Sequence, residues 1–276
     1  MRIMISADME GATGVTHTAD VLPGTEQWQR FRTLFTGDAN AVIDGLCLAG
    51  ADSVLVNEAH SSQRNLLLEE LDERAVMLTG RHKPLSMMQG IDSGVDGVVF
   101  LGYHAGAGTD GVLSHTYLEN SITGVWLDGA LASEGRLNAT LAAEYGVPVL
   151  LVPGDDKACA DAKGYSPEAE VVAVKECVSR YAAICAPPGR TAQWITDAAG
   201  RSLARAGRQA APPTTSHHVE VEFDAAHLAQ AAAVIPTVEQ IDVRRVGLDA
   251  PNMTEAMKAF KIVTAIASGS IEGKYG

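Results

Sequence analysis

Short apolar runs alternate along this chain with longer stretches in which apolar residues recur at helical spacing. Runs that are aliphatic throughout are typical of strands buried on both faces of a sheet. The pattern therefore predicts an α/β fold, a mainly parallel sheet covered by helices on both faces. The predicted strands are RIMIS (2–6), DSVLVNEA (52–59), RAVMLTG (74–80), GVVFLGY (97–103), ITGVWLD (122–128), VPVLLVPGD (147–155) and AEVVAVKECV (169–178). The predicted helices are roughly Glu26 to Leu48 and ALASEGRLNATLAAEYG (130–146).

The pattern changes in the C-terminal third, which two proline-rich stretches punctuate, APPGR (186–190) and APPTTSHH (211–218). We therefore predict two domains, a larger α/β domain over residues 1–189 and a smaller α+β domain with an antiparallel sheet over residues 190–276. The elements predicted for the smaller domain are a helix around Trp194 to Ala206, strands HVEVEF (218–223) and VEQIDVRRVGL (238–248), and the helix MTEAMKAFKIVTAIAS (253–268).

Composition excludes several classes of partner. The chain has 276 residues, a formal charge of −13 and no cluster of Lys and Arg, so neither nucleic acid nor an anionic membrane surface is an expected partner. No apolar run approaches the ~20 residues that span a bilayer. The start, MRIMISADMEG, is too short and acidic for a signal peptide, and the four cysteines lack CxxC spacing. We expect buried free thiols and a cytoplasmic protein.

Polar side chains stand just after several of the predicted strands. Asp8 and Glu10 follow the first strand, His60 follows the second and His104 follows the fourth. In extended backbone, residues two apart point to the same side, so both carboxylates can face one point. Because ligands of parallel sheets bind outside the carboxyl ends of the strands, we expect these side chains to converge there.

Two further residues join this set, His115 in LSHTY and Glu134 in the helical LASEGRLNA. Uncompensated carboxylates buried at one sheet edge would be very costly, and a divalent metal removes that cost. Mixed histidine and carboxylate ligands suit zinc or a similar transition metal. Three carboxylates and two imidazoles make five ligands, which exceed the needs of one tetrahedral ion, whereas two ions that share a bridging carboxylate use all five.

A glycine-rich segment offers an alternative. GAGTDG (106–111) follows a strand and has the form GxGxxG, with Asp128 further along. A dinucleotide site requires a helix to begin at that loop, and SHTYLENS leaves little room for one before the next strand. We expect these glycines to let the backbone approach the metal centre instead. An NAD-dependent oxidoreductase stays as the alternative function.

Six motifs together resemble those of a known family. SADMEG (6–11), NEAHSS, GYHAGAG, LSHTY, SEGRLNA and VPGDD are similar, in this order and spacing, to motifs of the D-aminopeptidases associated with bacterial dipeptide transport. The resemblance covers most of residues 1–160 and continues more loosely to the end. It implies a zinc-dependent aminopeptidase that releases N-terminal D-residues from short peptides or amides.

The resemblance also implies roles for single residues. His115 matches the family's catalytic histidine, which acts as nucleophile or general base, and Asp8 matches a ligand that bridges two zinc ions. The family forms a ring-shaped decamer with active sites facing an inner chamber. Arg136, in SEGRLNA, departs from the more usual GEIGLNA, and we expect it to affect substrate range. The zinc ligands implied are Asp8, Glu10, His60, His104 and Glu134.

The residues and the resemblance together imply a metallo-aminopeptidase, in which two Zn²⁺ ions polarise the scissile carbonyl and acidify water, with His115 as base or nucleophile. A non-catalytic metal- or peptide-binding partner of a transport system is the other alternative. It would keep the metal ligands and have no need of His115.

Overall fold

The computed structural model describes residues 1–207, 209–212 and 214–272. Within them the strands, in chain order, are β1 Arg2–Ala7, β2 Ser53–Glu58, β3 Ala75–Leu78, β4 Gly97–Leu101, β5 Ile122–Leu127, β6 Ala130–Leu131, β7 Val149–Asp155, β8 Glu170–Ser179, β9 Ala182–Cys185, β10 His217–Phe223, β11 Val238–Asp242 and β12 Arg245–Ala250. The helices are α1 Thr18–Val21, α2 Glu26–Leu48, α3 Glu134–Glu144, α4 Asp156–Tyr165, α5 Pro188–Ser202, α6 Ala226–Ala232 and α7 Met253–Gly269.

The first sheet is mainly parallel, as predicted. Its strand order is β3-β2-β1-β4-β7-β8-β9, and β9 alone among these runs antiparallel to its neighbour β8. From β1 the sheet extends to one side through β2 and β3. From β4 it extends to the other side through β7 and β8. The order therefore reverses between β1 and β4, and this switch point is where α/β sheets open a crevice for ligands.

Side chains of β1 alternate between two buried layers. Ile3 and Ile5 pack in a core that includes Phe35 of α2 and Ile195 of α5. Met4 points to the opposite core, which contains α3, the second sheet and α7. Because both faces of the strand are covered, its sequence is aliphatic throughout rather than alternating. This confirms the predicted burial of the sheet on both faces.

The second sheet is antiparallel, with the order β11-β12-β10-β5-β6. Two expectations about it are wrong. ITGVWLD forms β5 and joins this sheet rather than the parallel one, and its Trp126 is only partly buried beneath the guanidinium of Arg245, 4.0 Å from the ring centroid. The segment 238–248 forms the hairpin β11–β12 rather than one strand, since a turn at 243–244 reverses the chain.

The two sheets do not separate along the chain at residues 189–190. Strands β5 and β6 lie before that point and belong to the second sheet, while α5, which begins at Pro188, packs on α2 beside the first sheet. The division into two domains at that position stays a prediction.

Two smaller expectations concern membrane helices and thiols. Over the described part of the chain, none of the helices combines the length and the apolar character that crossing a bilayer requires. All four cysteines are free, but the expectation that all are buried is wrong. Cys159 is buried, whereas Cys185 on the edge strand β9 is exposed.

Candidate active site

The predicted site residues converge at the carboxyl edge of the first sheet. Asp8 follows β1 directly, His60 lies two residues beyond β2, and His104 lies three beyond β4. Glu134 reaches the same place as the first residue of α3, whose N-terminus the Ser133 hydroxyl caps by accepting a hydrogen bond from a backbone N–H. Since β1 lies between β2 and β4, the switch point itself brings these side chains together.

Asp8 lies at the centre of the cluster, with its two carboxylate oxygens facing different histidines. Oδ1 is 3.4 Å from His60 Nδ1, and Oδ2 is 3.4 Å from His104 Nε2. On the first side, Glu10 Oε2 lies 3.0 Å from the same His60 nitrogen. On the second, Glu134 Oε1 lies 3.6 Å from His104 Nε2. The cluster thus divides into two sets of three donor atoms that share one carboxylate.

These donor atoms fit a metal centre. Two ligand atoms at about 2.0–2.1 Å from a tetrahedral zinc ion are about 3.3 Å apart, close to the separations observed. Three of the buried atoms, Asp8 Oδ2, Glu10 Oε2 and His104 Nε2, have no hydrogen-bond partner among the described residues. Buried polar atoms are normally paired, so their lack of partners indicates a ligand that is a cation.

Backbone carbonyls fix the orientation of both histidines. His60 Nε2 lies 2.8 Å from the carbonyl oxygen of Val21, and His104 Nδ1 lies 3.0 Å from that of Ala105. A carbonyl can only accept, so each of these nitrogens carries the proton. When the ring is neutral, its other nitrogen carries the lone pair and faces the cluster, which is the arrangement that metal-binding histidines require.

The pKa values of the cluster residues are also those expected of a metal centre. Burial would lower the pKa of His104, but Glu134 and Asp8 raise it to about 10. Burial also opposes charge on His60, yet Glu10 and Asp8 hold its pKa well above the ordinary value. Burial raises the pKa of Glu134 to about 7, against the attraction of His104. Protons on imidazoles thus balance the carboxylates, and a divalent cation would displace these protons because its ligands bind deprotonated.

His115 lies beside the cluster without being paired into it. Its ring stacks on that of His104, with centroids 4.2 Å apart and planes 6° from parallel, and its Nε2 is 3.9 Å from Glu10 Oε1. Nδ1 is 2.8 Å from the carbonyl oxygen of Leu113, which fixes the proton on that nitrogen. Burial and the neighbouring His104 lower the pKa of His115 to about 4, so the ring is neutral. Its Nε2 therefore offers a free lone pair towards the cavity.

Two glycines allow the close approach of chain segments around the cluster. Gly102 has φ +69°, and a side chain there would overlap the backbone carbonyl of Asp8. A Cβ on Gly106 would lie 2.9 Å from the Cα of Ser133, the cap of the helix that carries Glu134. The expectation that glycines bring backbone near the centre therefore matches the structure at Gly106, within GAGTDG.

The same segment does not offer a dinucleotide site. Residues 102–121 consist of turns and irregular backbone, and the element that follows them is β5. The helix N-terminus that would hold a pyrophosphate is therefore not at this loop. The glycines serve the approach of backbone segments, and His115 lies further along the same loop.

Lys175 on β8 is a positioning residue that the pattern of the sequence did not suggest. It is 1% exposed, and its Nζ donates to the backbone carbonyls of Glu10, Ala12 and Val15 at 2.6, 2.9 and 2.7 Å. All three ammonium donors are used, so a buried charge fixes the loop that carries Glu10. The one signal in the sequence is a lysine within the apolar run VVAVKECV.

Asp155 and Arg136 have roles in packing. Asp155 caps α4 by accepting from the N–H of Ala158, and its other oxygen accepts from the N–H of Val112 at 2.7 Å, which holds the loop that leads to His115. The guanidinium of Arg136 lies near Gly164 of α4, 3.5 Å from where a Cβ would be. The expected influence of Arg136 on substrate range therefore lacks a direct contact with the cavity described next.

The cluster opens into a cavity of about 660 Å³. Asp8, Glu10, His60, Glu134 and His115 all contribute to its lining. This volume falls within the range of ~300–1,000 Å³ typical of small-molecule sites. The fold and this cavity, with oxygen and nitrogen donors gathered at the switch point of a parallel sheet, define an α/β metalloenzyme.

Comparison with known proteins gives the family. A family model described as D-aminopeptidase (Peptidase_M55) matches residues 1–262. A D-aminopeptidase of Bacillus subtilis (strain 168) is 33% identical over 269 residues, which cover 97% of this chain and 98% of the relative. A solved structure, the Zn-dependent D-aminopeptidase DppA from Bacillus subtilis, a self-compartmentalizing protease, matches with a TM-score of 0.93 and 32% identity, covering 99% of this chain and 100% of that one.

This chain belongs to the D-aminopeptidase family, as the motifs of its sequence indicate. It is thus a peptidase, and neither a nucleotide-dependent oxidoreductase nor a non-catalytic transport partner is favoured.

Proposed function

We propose that this protein is a zinc-dependent aminopeptidase that removes N-terminal D-amino acids from short peptides. The observation that carries the proposal is the position of Asp8, whose two oxygens face two histidines within one buried cluster. Family membership supports the reaction, and the zinc dependence of the related DppA supports the metal.

Two zinc ions per subunit suit the cluster. One position would be held by Asp8, Glu10 and His60, and the other by Asp8, His104 and Glu134. A third grouping, Glu10 with both His104 and His115, also brings donor atoms within 4.8 Å of one another. We favour the first two, because they use every carboxylate and leave His115 free for the reaction.

When bound, the zinc ions supply Lewis acidity to the scissile carbonyl and lower the pKa of water. The lone pair on Nε2 of His115 accepts the proton of the attacking water, while the hydrogen bond to Leu113 holds the ring in place. As the C–N bond breaks, Nε2 returns that proton to the leaving amine. The backbone N–H of Tyr117 donates to Glu134 Oε1 at 2.8 Å and orients this ligand.

Removal of metal is expected to abolish the activity. Hydrolysis of D-alanyl-D-alanine should fall on the order of 1,000-fold after chelation and return with added zinc, because metal catalysis contributes several kcal/mol. Product release should be measured with elemental analysis of the same samples, and with the L-peptide in parallel. Full activity in a sample shown to be metal-free would refute the proposal, and an equal rate with the L-peptide would refute the D-preference.

We also propose a homo-oligomer, with a ring-shaped decamer as the expected form, located in the cytoplasm. Apolar side chains at one edge of the first sheet, Val178 and Ile184, are 66% and 65% exposed, as expected of a surface covered by another subunit. The related DppA is described as self-compartmentalizing. Four free cysteines fit a reducing compartment. Sedimentation as a single subunit would contradict the assembly.

A further inference from the structure

Part of the cavity lining is basic, in contrast to the metal cluster. Arg81 and Lys83 come from the segment after β3, and Lys261 comes from α7. We call these three residues the basic wall. They line the same cavity as the carboxylates of the metal cluster, so one cavity combines a cation-binding region with a surface of positive charge.

The three side chains of the basic wall form no ion pair with the described residues. Among the described residues, no carboxylate oxygen lies within 4.0 Å of the charged nitrogens of these three side chains. Outside the metal cluster, Glu119 is the one carboxylate among the described lining residues, and it is exposed. Arg81 is exposed, but Lys83 is buried and Lys261 is partly buried, and unpaired cations in such positions are unusual in a chain of net charge −13.

The hydrogen bonds of the wall use neutral acceptors. Lys83 is 8% exposed, and its Nζ donates to the Asn57 side-chain oxygen at 2.6 Å and to the Glu58 carbonyl at 2.5 Å. Lys261 Nζ donates to the carbonyl of Lys83 at 2.5 Å, which joins α7 to the segment after β3. These contacts position the charges without neutralising them, and each ammonium keeps a donor for a further acceptor.

We propose that the basic wall binds the C-terminal carboxylate of the substrate, so that the preferred substrates are short peptides with a free C-terminus. This inference rests on the proposed function. A peptide cleaved at its N-terminus carries an ammonium near the scissile bond and a carboxylate at the other end. Cleavage at the metal cluster places the N-terminal end of the peptide there, and the cations of the wall are complementary to the carboxylate at its other end.

The substrate comparison that tests this proposal needs only the wild-type protein. The zinc-loaded enzyme is expected to hydrolyse D-alanyl-D-alanine with a kcat/KM at least about tenfold higher than that for D-alanyl-D-alaninamide, because a hydrogen bond between charged groups is strong when partly buried. Equal values for the acid and the amide would overturn the basic wall and leave the aminopeptidase intact. Hydrolysis of neither would overturn the proposed function.

Substitutions in the basic wall show which side chains produce the preference for the acid over the amide. Arg81→Gln and Lys261→Gln should each lower kcat/KM for the acid about tenfold and leave that for the amide within about twofold. Lys258→Gln is the matched control, since this exposed lysine lies one turn earlier on α7 and pairs with Glu255. Lys261→Arg should restore most of the preference because it keeps the charge. Losses that are equal for acid and amide would contradict the assignment.

A binding measurement separates the wall from catalysis. Calorimetry with the metal-free protein, in which no turnover occurs, should give a dissociation constant for D-alanyl-D-alanine lower than that for the amide. The difference should disappear in Arg81→Gln. This result would support the wall even if hydrolysis failed, whereas equal affinities in the wild-type protein would overturn it.

Discussion

Asp8→Asn is expected to lower zinc binding at both positions and to reduce hydrolysis by at least about 1,000-fold. The two oxygens of Asp8 face His60 and His104, so the substitution replaces the ligand atom of one set with an amide nitrogen and removes the negative charge that both sets share. An amide nitrogen does not coordinate zinc, and the lost negative charge lowers the attraction for both cations. Substitution of any other single ligand would change only one of the two sets of donor atoms.

Elemental analysis of the dialysed variant measures this effect. The matched control is Asp38→Asn on α2, which replaces a buried carboxylate that accepts hydrogen bonds from Thr13 and lies outside the cluster. Asp38→Asn should keep wild-type zinc content. Two equivalents of zinc in purified Asp8→Asn would rule out a shared ligand at this position.

His115→Ala is expected to keep its zinc and to lose turnover by about 100- to 10,000-fold, the range typical of a general base. The side chain presents a free Nε2 to the cavity and is absent from both preferred sets of metal ligands. Its loss should therefore act on kcat far more than on metal content. The rate at saturating peptide, with zinc content of the same preparation, gives both quantities.

The stacking of His115 on His104 requires a control. Removal of the ring could let His104 move, and a parallel fall in zinc content would reveal that movement. His218→Ala, on the exposed part of β10 and paired with Asp249, should leave both quantities unchanged. A zinc-loaded His115→Ala with wild-type turnover would exclude this residue as base and as nucleophile.

The elements best predicted from sequence are those with local start and stop signals. The helix predicted from Glu26 to Leu48 has these same ends in α2. Thr25 caps its N-terminus by accepting from the N–H of Trp28, and Gly50, with φ +101°, follows its C-terminus. Both signals act within one turn of the helix, so they can be recognised without any knowledge of the fold.

Strand partners could not be predicted in the same way. The sequence of β5 indicates a strand, but its place beside β10 depends on hydrogen bonds to residues about 95 positions away. The residues of β5, ITGVWL, lack the strict alternation of β10, so their apolar pattern does not distinguish the two sheets. The turn at 243–244 lacks glycine and proline, so the sequence pattern predicts one strand where the structure has the hairpin of β11 and β12.

Convergence of the candidate site residues followed from a single topological rule. Asp8, His60 and His104 follow parallel strands, and such strands meet at one edge of the sheet. This rule predicts neither Lys175 nor the basic wall. Lys175 binds backbone carbonyls, which carry no signature in the sequence, and the wall joins Lys83 to Lys261 across 178 positions.

The contact between Lys175 and the carbonyl of Glu10 joins residues separated by 165 positions. During synthesis the N-terminal strand leaves the ribosome long before β8 exists. The loop bearing Glu10 therefore cannot reach its final shape until more than half of the chain has been made. We expect nascent chains stalled before residue 175 to bind metal loosely, and metal uptake to occur late in folding.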